Sequence, residues 1–299
     1  MAIVSYDQVV SNIAAGRSSK FVFNKQIGAA AYTAGRWYDM ATLPGLPTAS
    51  TFPGAPLIAV QCLSNGGSPM VGSLPLGADV EPALNRYLLS SEVVADVATG
   101  VPAWLLLVDL LLYYPGIDMN SGLQQSLTNG VLLPRYADGG GVMMFLEAAA
   151  TTGATPHTLH TSGFTYTNSA AIPVPGRTIP GTVACTISAI VPHIVHSGVA
   201  ANNFGPFIPL SSGDAGVKSV EKFQLSVASG SASTATLVLC KPLVQIPVTT
   251  LYVSSGRDFV FNMPSLPRIY DGACLTFLLF TGGATVTTHY SVSLDFVWG

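Results

Sequence analysis

Charge is what this sequence has least of. Only 12 of its 299 residues are Lys or Arg and 15 are Asp or Glu, 9% in all, where ordinary globular domains carry about a quarter. Side chains that normally face water are therefore scarce, and the exterior must be made from Ser, Thr, Gly, Asn, Ala and exposed apolar groups. Such surfaces associate readily, so the composition suits a subunit whose outside is largely buried against companions. Low charge with 49% hydrophobic residues also raises the alternative of a membrane protein. A spanning helix needs roughly 18 or more apolar residues. The most apolar run, Val101 to Tyr114, has 14 residues, contains Asp109 and is bounded by Pro102 and Pro115-Gly116. No membrane span is expected.

Other absences narrow the field further. The nearest thing to a basic cluster is Arg17, Lys20 and Lys25, and the net charge is −3, so nucleic acid is not an expected partner. Cys62, Cys185, Cys240 and Cys274 form no CxxC pair, which leaves no zinc ribbon or redox motif and reads as four small buried hydrophobes. Residues 1–12 show neither the basic segment nor the apolar core of a signal peptide, so cytoplasmic synthesis is expected. HExxH, GxSxG and a phosphate-binding GK[ST] are all missing. His157 with His160, and His193 with His196, are spaced as HxxH. The first pair lies in a Thr/Gly/Pro-rich turn and the second in a strand-like run, where positions three apart face opposite ways. They read as polar loop or edge histidines. Asp109 and Asp118 flank Tyr113-Tyr114, but Asp118 follows Pro115-Gly116, where turn formation accounts for it. No enzyme activity, cofactor or metal is expected.

What is present is β-structure broken by turns. There are 30 Gly and 21 Pro residues, and the runs between them are rich in Val, Thr, Leu and aromatics. Strands are expected near 57–62, 104–114, 141–148, 183–195, 220–229, 235–243, 274–280 and 286–297. The alternation of Phe223 to Val227 and of Tyr290 to Phe296 marks antiparallel strands with one face on a core. Leu275 to Phe280, uncharged throughout, suits a strand covered on both faces. Helix signals are few. Ser5 is placed to cap a short helix with Val9, Val10 and Ile13 on its apolar face and Asp7 near its N-terminus. Leu84 to Val97 and Met119 to Thr128 are further short candidates. The expected fold is mainly β, an antiparallel, jelly-roll-like β-sandwich with few short helices. Residues 1–60 would form a short helix plus an extended N-terminal arm and residues 61–299 the sandwich. The arm would pack on a neighbouring subunit or, equally, form a loop-rich edge of the main domain.

Two segments concentrate charge beside aromatics. In Arg36-Trp37-Tyr38-Asp39 a cation can stack on a ring while the carboxylate accepts from its guanidinium. Pro267, Arg268, Tyr270 and Asp271 combine rigid backbone with an Arg/Tyr/Asp cluster, the composition of an interface anchor, or of an internal loop held by one ion pair. These eight residues are the candidate interface residues.

Together with those segments, AAYTAGRWYDM (30–40), LLYYPGIDMN (111–120), PSLPRIYDGACL (264–275) and the terminal LDFVWG (294–299) give a sequence that resembles virion structural proteins of tailed bacteriophages. The resemblance implies a place in the particle, with no enzymatic role and no cofactor. The lack of a long helix counts against the phage major-capsid fold and favours a head decoration or cement protein that binds the major capsid protein. Self-association as trimers or dimers is expected. Alternatives are another virion subunit (major capsid, tail or fibre) or, from a different class, a carbohydrate-binding or hydrolytic β-sandwich.

Overall fold

In the computed structural model the described residues are 3, 5–28, 32–64, 73, 74, 76, 84–96, 101–197, 205–262, 266–283 and 287–299. The first half runs α1 (Tyr6–Ala14), β1 (Ser18–Gln26), β2 (Arg36–Asp39), β3 (Gly45–Leu46), β4 (Val60–Gln61), β5 (Arg86–Ala95), β6 (Ala103–Asp118), β7 (Gln125–Ser126) and β8 (Met143–Ala148). There follow β9 (Thr158–Leu159), β10 (Thr165–Asn168), β11 (Arg177–Thr178), β12 (Val183–Ala184), β13 (Val217–Phe223) and β14 (Thr234–Val248). The chain ends with β15 (Ser255–Asp258), α2 (Phe259–Asn262), β16 (Arg268–Ile269), β17 (Cys274–Thr281) and β18 (His289–Trp298). Among the described residues no helix is long and apolar enough to cross a membrane.

One large sheet has the order β15-β5-β18-β1-β3, with β16 also on β5; the other runs β2-β17-β6-β14-β8, with β4 also on β6. Alternation explains their packing. Along β18, Tyr290, Val292, Leu294 and Phe296 are buried while Ser291 faces water, as period two requires. Those residues meet Leu105, Leu107, Phe277 and Leu279 of the second sheet in one apolar layer. The result is an antiparallel β-sandwich. The strands β6 and β14 outrun the sandwich. Their far ends, with β8, pack Leu111, Tyr114, Leu146 and Leu237 against Tyr166, Val220 and Phe223 of the smaller sheet β11-β10-β13-β7.

The second sheet also curls until its edges nearly meet. Residues 192–195 fill the gap by bonding to both edge strands. Asp39 N–H donates to Pro192 O (3.1 Å) and Ile194 N–H to Trp37 O (2.9 Å) on one side; Ala148 N–H donates to His193 O (2.9 Å) and Val195 N–H to Leu146 O (2.8 Å) on the other. The closed ring surrounds a third apolar cluster that includes Trp37, Leu106, Val108, Phe145, Val238, Leu278 and Ile194 of the closing stretch. Closure removes the open edges that would otherwise template pairing with other chains.

Several expectations need correction. Residues 86–95 form a strand, not a helix: nine positions of β18 pair with β5, and tertiary pairing overrides the local helical spacing. Val97, the end of that candidate, lies outside the described residues, as does Val286 at the start of the last expected strand. Residues 119–128 hold turns and the short β7 rather than a helix. From 183 to 195 only Val183–Ala184 is a named strand. By contrast β6 continues through Pro115-Gly116 by bulging there: both residues lie opposite Thr236 of β14 and fall outside the paired register. Pro242 and Pro247 sit in β14 beyond the end of its pairing with β8, where no second ladder among the described strands needs their missing N–H groups.

Part of the segment expected as an arm, residues 18–26, is a strand of the first large sheet. All nine residues of β1 pair with β18, and Gly45, at a φ of 140°, packs so tightly on β1 that any Cβ would strike Asn24 O. Within residues 1–60 the described strands β1, β2 and β3 are built into the two large sheets. The helix α1 forms as expected, Ser5 accepting the Gln8 N–H at 3.3 Å. The apolar face is different, however. Only Val9 is buried, and Val10 and Ile13 point outward.

Candidate functional site

The segment 36–39 is the edge strand at which the ring closes. Alternation turns Trp37 and Asp39 into the barrel beside Leu278, and Tyr38 outward. Outside, Tyr38 stacks on Tyr32 at 4.1 Å and lies 5.2 Å from His193. Arg36 stays half-exposed. The expected Arg36–Asp39 pairing is not what forms. Asp39 Oδ1 accepts from the Ala41 N–H at 2.8 Å, and its side chain meets that of Glu147. Trp37, Tyr38 and Asp39 are thus taken up inside the subunit.

Glu147 reaches this point because it follows Phe145 by two along β8 and so shares its inward face. Its Oε1 accepts from Thr42 Oγ1 at 3.3 Å. Both carboxyls are fully enclosed. Burial pushes the pKa of Asp39 up to about 6, against the hydrogen bonds and the nearby Lys25, and holds that of Glu147 well above the carboxylate range, with the Asp39 charge adding to the effect. Lys25 approaches from β1 and is itself buried. Its Nζ donates to the carbonyls of Leu43 (2.9 Å), Ala41 (3.2 Å) and Thr48 (3.4 Å), and burial lowers its pKa to about 8. The seam is a polar cluster inside an apolar barrel.

The second candidate segment borders a surface cleft of about 370 Å³. Pro267 O accepts from Leu88 N–H at 2.9 Å, which pins the segment to β5. The guanidinium of the exposed Arg268 lies over the Tyr270 ring at 4.3 Å, and Tyr270 meets Tyr136 edge-on at 4.9 Å. Asp271 is exposed. Beneath, Arg135 grips Asp109 with Nε (2.8 Å) and Nη2 (2.7 Å), and bonds the carbonyls of Leu110 and Cys62. Cys274 N–H also donates to Asp109, at 2.9 Å. Burial is the largest influence and would lower the Arg135 pKa, but the Asp109 charge and hydrogen bond, with smaller contributions from Cys274 and Cys62, together outweigh it, and the net direction is upward. The structure therefore brings Pro267, Arg268, Tyr270 and Asp271 together at a surface, and separates them from 36–39.

Three of the histidines are core residues rather than loop or edge groups: His157, His193 and His196 are buried. Each has its own oxygen partner. His157 Nδ1 is 2.8 Å from Thr155 O, His196 Nε2 is 3.1 Å from Pro206 O, and His193 Nε2 is 3.2 Å from Ser197 Oγ. Among the described residues no group of three His, Cys, Asp or Glu side chains is placed to hold a metal ion. All four cysteines are buried and unbridged.

Sequence reasoning missed Glu147, Lys25 and Arg135. A signal existed. In so charge-poor a chain, Glu147 inside Met143–Ala148 and Asp109 inside Leu105–Tyr114 are carboxylates within apolar strands, and such groups are buried and paired.

The exterior is notable for large apolar side chains. Leu132 and Ile172 are each 83% exposed, Leu123 77%, Tyr252 74% and Phe261 71%. On α1 the exposed Tyr6, Val10 and Ile13 fall at helical spacing, and the Tyr6 ring meets Phe261 of α2 at 5.4 Å.

No protein-family model matches the sequence, and no curated protein does. Among solved structures, the chain is similar to a structure of infectious bursal disease virus, Gt strain, at 10% identity, over 94% of this chain and 80% of that one, with a TM-score of 0.20. It is also similar to the VP2 subviral particle of the same virus, at 12% identity, 94% and 80% coverage and a TM-score of 0.17. Superpositions this distant carry no argument.

Proposed function

We propose that the chain is a structural subunit of a virus particle, and specifically a head-decoration or cement protein of a bacteriophage. It would stabilise the shell by burying neutral surface against copies of itself and against the major capsid protein. The supporting observation is the exterior: a sandwich that leaves Leu132, Ile172, Leu123, Tyr252 and Phe261 open to water, with 27 charged residues in the whole chain. Buried apolar area contributes roughly 25 cal/mol per Å² before the costs of association, and repetition over a shell multiplies modest contacts. The distant likeness to proteins of virus particles adds no weight to this.

Sedimentation of the isolated chain over a range of protein and salt concentrations tests the association, and co-sedimentation with particles lacking the chain tests the binding. Oligomers and particle binding that survive moderate salt are expected, because few charges are present to be screened. A monomer at high concentration with no affinity for particles would exclude the role.

A further inference from the structure

We propose that the barrel is latched by a shared proton: Asp39 and Glu147 form a carboxyl–carboxylate pair across the closing seam, and losing that proton as pH rises loosens residues 192–197 from both edge strands. This inference is independent of the proposed assembly role. Asp39 lies on one edge strand and Glu147 on the other, and both belong to the pairing that holds the closing stretch: Ile194 opposes Glu147, and His193 opposes Tyr38, next to Asp39.

One oxygen of each carboxyl is occupied, by Ala41 N–H and by the Thr42 hydroxyl. The other two, Asp39 Oδ2 and Glu147 Oε2, are sealed from water and receive no hydrogen bond from any third group among the described residues. Two carboxylates in contact without a donor would place a double negative charge in an apolar enclosure. A single proton between them removes half of that charge and supplies the missing hydrogen bond.

The surroundings offer no substitute for that proton. Lys25, from β1, gives its ammonium to three carbonyls. Arg36, on β2, is half-exposed and makes no ion pair with Asp39. Tyr32 and Tyr38 are kept neutral by burial, as are the thiols of Cys62 and Cys240. On the closing stretch, burial lowers the pKa of His193 to about 3 and of His196 to about 4, so both are uncharged at neutral pH.

The sign follows from linkage. A carboxyl whose folded-state pKa is raised contributes stability that is full below the ordinary carboxylate range. That contribution is lost as pH climbs through the folded values, about 6 for Asp39 and, for Glu147, well above the ordinary carboxylate range.

Infrared difference spectra of the full chain, together with amide exchange corrected for intrinsic rates, test the latch between about pH 5 and about pH 9. The wild-type chain should show the carbonyl band of a neutral carboxylic acid at neutral pH, absent from both Glu147→Gln and Asp39→Asn. Exchange at Ile194, Val195 and Ala148 should speed up by roughly tenfold or more over that range in the wild type. It should stay level in Glu147→Gln, whose amide supplies the bridging hydrogen at every pH. Absence of the neutral-acid band, or equal acceleration in wild type and Glu147→Gln, overturns the proposal. Should neither variant fold, carbon-13 titration of the wild-type carboxyls decides. One carboxyl still protonated at neutral pH supports the latch, and two ordinary titrations refute it.

Discussion

The space between the two large sheets and the space inside the curled sheet are both closed to water, but they are filled differently. Between the sheets lie aliphatic and aromatic side chains such as Phe23, Leu105, Phe277, Leu294 and Phe296. Inside the barrel, Leu106, Val108 and Leu278 share the space with Cys62, Cys240 and Cys274, and with the carboxyls of Asp39 and Glu147. A second buried charge, the Asp109–Arg135 pair, sits on β6 beside the cleft. An apolar layer responds to lost volume. A polar interior responds to lost partners, and its stability moves with pH.

The sharpest way to break that contrast is to orphan a buried charge. Arg135→Met leaves Asp109 enclosed with no counter-charge and should cost about 3–5 kcal/mol, read by denaturant unfolding. The double variant Asp109→Leu with Arg135→Met should recover most of the loss, since a buried pair replaced by apolar groups is often neutral. A double variant as unstable as the single one would mean that the pair is held for its hydrogen bonds to backbone rather than for its charge.

Volume comes next. Phe277→Ala, in the sandwich layer, should cost about 3–5 kcal/mol by the same measurement. Cys240→Ala, in the barrel, removes one sulfur and should cost about 1 kcal/mol. Similar losses for the two would show that the barrel is as tightly packed as the sandwich, despite its polar content.

The histidines sharpen the comparison by pH. Burial lowers the folded-state pKa of His196 to about 4. Above an ordinary histidine value both states are neutral and the contribution is intact; as pH falls toward 4 the unfolded chain takes up a proton that the folded chain refuses. His196→Gln should therefore gain about 2 kcal/mol relative to wild type between about pH 7 and about pH 5. The raised carboxyls change stability in the opposite sense over the same range, so the relative gain is the quantity to measure. A constant difference would place the His196 ring in contact with solvent.

The two interiors also differ in how far the sequence reveals them. Tyr290 to Phe296 announces its strand and its buried face by alternation alone, and the uncharged run of Leu275 to Phe280 announces a strand covered on both sides. Those are local signals. The seam joins positions near 39, 147 and 194, and nothing in local periodicity links them. Its histidines were misplaced because polar residues in Gly- and Pro-rich stretches read as surface, whereas here each finds a backbone or hydroxyl oxygen inside. Residues 84–97 misled for another reason. Leu84, Tyr87 and Leu88 have helical spacing, but β18 supplies a long partner that makes the strand the better-bonded state. Of the two interface candidates, the Arg268–Tyr270 cluster remains at the surface because it edges a cleft. Trp37 and Asp39 do not, because β2 must close the ring.

The smallest effect on stability should come from the outer surface, where it distinguishes folding from assembly. Phe261 is exposed, and its ring touches only Tyr6, also exposed, among the described aromatic contacts. Phe261→Ser should therefore shift unfolding by no more than about 0.5 kcal/mol. If the α1/α2 patch is where copies meet, the same change should weaken self-association by roughly tenfold or more, because exposed aromatics at the centre of an interface carry a large share of its energy. Sedimentation of wild type and variant at matched concentrations separates the two effects. Unchanged association in a folded variant would move the contact to another apolar surface, of which Leu132 and Ile172 are the most exposed members.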